Sequence, residues 1–198
     1  MKINQYNFIF GGVASGKTIA TLKLIRNLNN RTLYFDSENG ANASLGKFSG
    51  FKTANNLNLF IVSYDLKEIL RKILLINEDC FEMLNIVIDP IRNYTDSDFY
   101  NFVQDLPKIH RYFFVVQSVK DINIENRQYG GDKMKELSSD LNLDRNNMSF
   151  FLVKNDHHGP MDKSIIIYNY NTNESCNIGE ISQVIRDMKL SEILDESK

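Results

Sequence analysis

Cysteine is nearly absent. Cys80 and Cys176 are the only two in 198 residues, and they share no metal-ligand spacing. The pair excludes a cysteine-built metal centre and leaves free thiols, the ordinary state in a reducing compartment. No apolar run approaches the ~20 residues needed to span a bilayer. The first residues, Met-Lys-Ile-Asn-Gln-Tyr, lack the charged start, apolar centre and small-residue cleavage site of a secretory leader. A soluble, cytoplasmic protein with no membrane association is expected, in the host cytoplasm if the source is viral. Charge of one sign is also missing: the net charge is −2, which argues against a surface that attracts polyanions everywhere. Any nucleic-acid contact must then be confined to a groove or pore. There is no internal repeat and no low-complexity tract; Asn, Ile and Lys are the enriched residues. The length suits one domain covering 1–198, long enough to bury about 70% of the extended chain's surface.

What is present is an alternation of strands and helices. Residues 6–10 read as a strand, and Ile19, Leu22, Leu24, Ile25 and Leu28 recur at helical spacing up to Asn29-Asn30. Leu33-Tyr34-Phe35 is a short strand ending in the polar cluster Asp36-Ser37-Glu38-Asn39-Gly40. Residues 40–57 read as a loop with at most one helical turn. Leu59–Val62 is a strand, Leu66–Ile76 an amphipathic helix, and Leu84–Asp89 a buried strand stopped by Pro90. Asp96–Leu106 reads as helix and Tyr112–Gln117 as strand. A polar stretch from Ser118 leads to a helix around Lys133–Leu141. Phe150–Val153 and Ile165–Tyr168 flank a turn and form a C-terminal hairpin, Cys176 falls in a loop, and a last helix starts at Glu180 or Ile181. Alternating elements with near-continuous apolar strands predict an α/β fold, a mostly parallel central sheet flanked by helices.

Between the first strand and first helix lies Gly11-Gly12-Val13-Ala14-Ser15-Gly16-Lys17-Thr18, the G-x-x-x-x-G-K-[ST] phosphate-binding pattern, continued by Ile19. Its glycines let backbone N–H groups point inward, Lys17 adds a point charge, and Thr18 adds a hydroxyl ligand for Mg²⁺. The following helix contributes the positive end of its dipole. A nucleoside triphosphate with Mg²⁺ matches this set. Ligands of such sheets bind beyond the carboxyl ends of the strands, and each neighbouring end carries a polar group. Asp89 is placed to hold a water on the metal beside Thr18. Glu38 is placed to orient the attacking water, the alternative being a solvated turn residue. Gln117 is placed to sense the γ-phosphate, the alternative being a capped strand end. Asp36, one residue from the strand end on the alternate face, is read as structural or as a support one step behind the ligands.

The ordered set Gly11–Thr18, Phe35-Asp36-Ser37-Glu38, Ile88-Asp89-Pro90-Ile91 and Val116-Gln117-Ser118 resembles the RecA-like P-loop ATPases, over nearly the whole chain. Within that superfamily it is similar to plasmid replicative helicases of the RepA type and to DnaB-type helicases. Leu152-Val153-Lys154-Asn155-Asp156-His157-His158-Gly159-Pro160, followed by Ile165-Ile166-Ile167-Tyr168, looks like their penultimate hairpin, in which a Lys-x-Arg pair reaches the neighbouring subunit's γ-phosphate. The resemblance implies a catalytic role for Lys154. Asp156 stands where the arginine belongs, and Arg145, Arg92 or Arg111 are the candidates to replace it. His157 and His158 read as exposed hairpin-tip residues. The N-terminal extension that links subunits in such rings is missing, so a ring or filament is expected to assemble through the core.

The resemblance also maps a nucleic-acid-facing loop onto Ser118–Leu137, with Lys120, Arg127, Lys133 and Lys135 as phosphate contacts and Tyr129 beside Gly130-Gly131 as a base-stacking platform. Asp121, Glu125, Asp132 and Glu136 balance those cations, and a solvated mixed-charge loop is the alternative. The leading expectation is a homo-oligomeric, Mg²⁺-dependent ATPase acting on single-stranded nucleic acid, as a helicase, recombination or packaging motor of a phage, virus or plasmid. A nucleotide-dependent regulatory or binding module is the first alternative. A small-molecule kinase is the second, weakened by the lack of a cysteine-rich zinc lasso.

Overall fold

The computed structural model describes residues 2–12, 14–28, 30–38, 57–62, 64–92, 96–116, 127–155, 164–184 and 186–187. Among these, eight strands form one sheet: β1 (Tyr6–Phe10), β2 (Thr32–Asp36), β3 (Leu57–Ile61), β4 (Asn85–Ile91), β5 (Arg111–Val116), β6 (Met148–Asn155), β7 (Ile165–Asn169) and β8 (Glu174–Asn177). Helices accompany them: α1 (Lys17–Arg26), α2 (Leu66–Asp79), α3 (Ser97–Gln104) and α4 (Arg127–Asp140), with residues 181–184 helical as well, where the last helix was expected. The sheet order is β3-β2-β4-β5-β1-β6-β7-β8. The first six of these strands pair in parallel, and β6-β7 and β7-β8 are antiparallel. The expected α/β class and C-terminal hairpin are thus present, with β8 added at the edge.

Strand alternation divides the apolar side chains between the two faces. Phe8, Phe10, Leu33, Phe35, Ile86, Ile88, Tyr112 and Phe114 pack with the buried residues of α2, α3 and α4. Ile9, Tyr34, Val87, Phe113, Val115, Phe151 and Val153 pack under α1, closed at the end by Ile178 and Ile181. Every residue of β1, β2 and β4 is buried, which is why these strands read as unbroken apolar runs. α2 shows the helical counterpart. Asp65 accepts from the backbone N–H of Lys67 at 2.9 Å, Ile69 and Ile73 face the sheet, and the extended Cys80 ends the helix.

Three expectations are corrected. Pro90 does not stop β4: the strand runs on to Ile91, and the β4–β5 register shifts between Ile88 and Ile91, an irregularity that tolerates a residue without an N–H. The helix expected around Lys133 begins at Arg127, so Tyr129 and Gly130-Gly131 lie within α4 instead of in a loop. Two helical glycines cost about 1 kcal/mol each, and burial of Leu137 and Leu141 in the core outweighs that. Cys176 lies in β8, not a loop, and both cysteines are free. The loop expected over 40–57 lies outside the described residues up to Asn56.

The amino-terminal rim is tied by amide side chains. Asn4 Nδ2 donates to Met148 O at 2.8 Å, Asn7 Nδ2 to Asn4 O at 2.8 Å, and Asn171 Nδ2 to Met148 O at 2.9 Å. The opposite, carboxyl rim carries the loop after β1 and the ends of β2 and β4. Among the described residues no helix is long and apolar enough to cross a membrane.

An aromatic stack centres the larger core: Phe8 lies 5.0 Å from Phe114 and 5.5 Å from Phe150, and Phe99 of α3 meets Phe114 edge-on at 5.4 Å. Phe99→Ala should therefore destabilise the protein by about 3–5 kcal/mol in urea unfolding, and Phe99→Leu by distinctly less. Equal effects of the two would contradict this packing.

Candidate phosphate-binding site

β1 ends at Phe10 and the chain turns into the loop 11–18 by backbone conformations that few residues adopt. Ala14 has φ 59° and Gly16 has φ 89°, ψ 17°, both left-handed. Space is equally short at Gly11, where a Cβ would come within 2.6 Å of Val153 O and 2.5 Å of Ser15 Oγ. The loop is thus wound tightly against β6. Gly16 caps α1 without a side-chain hydrogen bond, and the first turn of α1 holds no acidic residue. No acidic residue of the helix itself complements its positive end, while Lys23 and Arg26 complement the other end.

Lys17 folds back over the loop, its Nζ donating to Gly11 O at 2.8 Å and Gly12 O at 2.7 Å. Burial lowers its pKa, and the charges of Asp89 and Glu38 work in the opposite direction. Ser15 Oγ is buried and has no hydrogen-bond partner among the described residues. Among the described residues, this loop thus carries a buried hydroxyl without a partner and an ammonium bonded to two loop carbonyls, donors of a kind that suits an anion.

Next to the loop stands Asp89, near the carboxyl end of β4 and buried. Thr18 Oγ1 donates to Asp89 Oδ2 at 2.7 Å, and the Tyr34 hydroxyl donates to the same oxygen. An ionised carboxylate only accepts, so both hydroxyls are donors and the Thr18 oxygen keeps its lone pairs for a cation. Burial raises the pKa of Asp89; the Tyr34 and Thr18 hydrogen bonds lower it, and Asp36 and Glu38 push it up again. Asp36 and Asp89 are register partners in the β2–β4 ladder and lie on the α1 face with Tyr34 and Val87. Asp36 is therefore a buried neighbour of Asp89, not a residue turned to the other face. Its Oδ1 accepts from the backbone N–H of Glu38 at 3.0 Å, holding the turn that carries the exposed Glu38 past the strand end.

Sheet order explains the convergence. β5 lies between β1 and β4, and β2 lies beyond β4, so the loop, Asp89 and Glu38 share one rim. Gly11, Gly12, Ala14, Ser15, Gly16, Lys17, Thr18 and Ile19 are gathered there; Val13 and Gln117 lie outside the described residues. Lys154 is exposed near the end of β6, next to β1. Arg111 is not at this rim: it begins β5 at the opposite end and donates to Asn85 Oδ1 at 3.4 Å. Arg145 is likewise before β6 begins, exposed in a 3-10 turn (Arg145–Asn147). Arg92 follows β4 and lies over the Tyr64 ring, 5.5 Å from its centroid. Asp156, His157 and His158 lie outside the described residues.

The residues assigned to nucleic acid are only partly described. Lys120 is outside; Arg127, Tyr129 and Lys133 are placed in α4 with side chains not described. Lys135 is exposed and pairs with Asp132 one turn away at 3.2 Å. Sequence reasoning passed over Tyr34 as an ordinary strand residue. Its signal, a hydroxyl-bearing ring in the strand beside Asp89, emerges only once the pairing of β2 with β4 is known.

Among the described residues no cluster of three or more His, Cys, Asp or Glu forms a metal cage. A hard cation such as Mg²⁺ takes oxygen donors. Thr18 and Asp89 fit such an ion.

Because Asp89 is held above the usual carboxylate range, folding disfavours its ionised form. The stability present below the ordinary carboxylate pKa is lost as pH rises through the folded value. Asp89→Asn, free of ligand, should melt higher than the parent at pH 7, and the gap should close as pH falls toward about 4. Thermal unfolding across that range measures it, and a variant less stable at pH 7 would oppose the assignment.

No protein-family model and no curated protein matches this chain, so its functional reading rests on the geometry of this rim.

Proposed function

We propose that the protein is a Mg²⁺-dependent ATPase with a RecA-like core. One observation carries the reading: a phosphate-type loop whose lysine and buried serine await an anion, with its threonine bonded to a buried carboxylate two strands away. The backbone N–H groups of the loop and α1 receive the β-phosphate. Lys17 exchanges its bonds to the Gly11 and Gly12 carbonyls for β- and γ-phosphate oxygens. Thr18 and Asp89 hold the metal, which when bound neutralises charge developing on the transferred phosphoryl group. Glu38, on the turn supported by Asp36, orients the attacking water. The end of β5 lies between the loop and Asp89.

Action on single-stranded nucleic acid by a ring or filament belongs to this proposal through the family resemblance. Lys135 serves it poorly, since its ammonium is already engaged with Asp132. That pairing is the specific observation favouring the second reading, a nucleotide-dependent regulatory module.

ATP turnover with and without single-stranded DNA, for the parent and Lys17→Ala, tests both. Loss of turnover by at least about 100-fold in the variant is expected, as for removal of a positioned transition-state donor. Stimulation of the parent by DNA supports the motor reading; turnover that ignores DNA supports the module. Equal turnover by the two proteins would remove the enzyme.

A further inference from the structure

We propose that Tyr34 is a positioning residue for the metal site, fixing the Asp89 carboxylate so that its other oxygen faces the cation. The inference rests on the ATPase reading and deepens it. Tyr34 is fully buried in the middle of β2, paired in register with Val87. Asp89 is its diagonal neighbour two residues along β4, a separation that a tyrosine ring bridges. The hydroxyl ends on Asp89 Oδ2, the oxygen that also receives the Thr18 proton. Two donors on one oxygen, arriving from β2 and α1, set the carboxylate's rotation from both sides.

A phenol is protonated at neutral pH, so the Tyr34 hydroxyl donates to the Asp89 carboxylate. It also remains available when Thr18 turns its oxygen to a metal. The tyrosine thus supplies a bond to Asp89 that metal binding does not remove. Partners of this kind, one step behind the ligands, typically change metal affinity by about 10–100-fold when lost.

Tyr34→Phe keeps the ring and removes the donor. The experiment is a titration of Mg²⁺ into protein with a fluorescent ATP analogue, with thermal unfolding to verify the fold. The variant should need about tenfold more Mg²⁺ for half-saturation, with metal-free nucleotide affinity unchanged. Adding Tyr34→Phe to Asp89→Asn should shift nothing further, because the tyrosine acts through that carboxylate. An unchanged Mg²⁺ half-saturation in Tyr34→Phe, with only a lower melting temperature, overturns the proposal, as does a shift that persists in the Asp89→Asn background. If Tyr34→Phe does not fold, difluorotyrosine introduced at position 34 keeps the ring and alters the donor. The half-saturation must then move, and an unmoved value overturns the proposal. Failure of the parent to bind the analogue with Mg²⁺ would instead remove the ATPase reading.

Discussion

A hydrogen bond of 2.7 Å from Thr18 to Asp89 joins the first turn of α1 to β4, across the intervening strand β5. The arrangement of the carboxyl rim depends on it. The contact requires β4 to stand two places from β1, Asp89 to fall on the α1 face, and the loop to deliver Thr18 at the start of a helix. Shifting β4 by one residue would turn Asp89 to the opposite face, among Ile86, Ile88 and the aromatic stack. The parallel register of β2, β4 and β5 is therefore as much a part of the site as the loop.

Stability and site chemistry pull in opposite directions here. Both faces of the sheet are covered, and interlocked phenylalanines give the larger core its rigidity. Against that background the rim combines a buried carboxylate with a raised pKa, a second buried carboxylate beside it, a buried serine without a partner among the described residues, and left-handed backbone at Ala14 and Gly16.

Much of the fold was legible because parallel strands buried on both faces leave unbroken apolar runs, as in Ile86-Val87-Ile88 and Phe113-Phe114-Val115-Val116. The loop was legible because its chemistry is local. What escaped depends on distant parts of the chain. β8 is an exposed edge strand whose residues, Glu-Ser-Cys-Asn, carry no strand pattern and pair only because β7 offers an edge. α4 extends through two glycines because Leu137 and Leu141 anchor it in the core. The position of Asp36 and the reach of Tyr34 follow from the β2–β4 register, which a single strand read by itself does not contain.

A crystal structure with Mg²⁺ and a non-hydrolysable ATP analogue tests the central claim most directly. The account predicts the triphosphate in the loop 11–18, the Lys17 ammonium lifted off the Gly11 and Gly12 carbonyls onto phosphate oxygens, and the Thr18 hydroxyl on the metal with Asp89 behind a bound water. An empty loop with Lys17 still on those carbonyls, or nucleotide bound on another edge of the sheet, would contradict it.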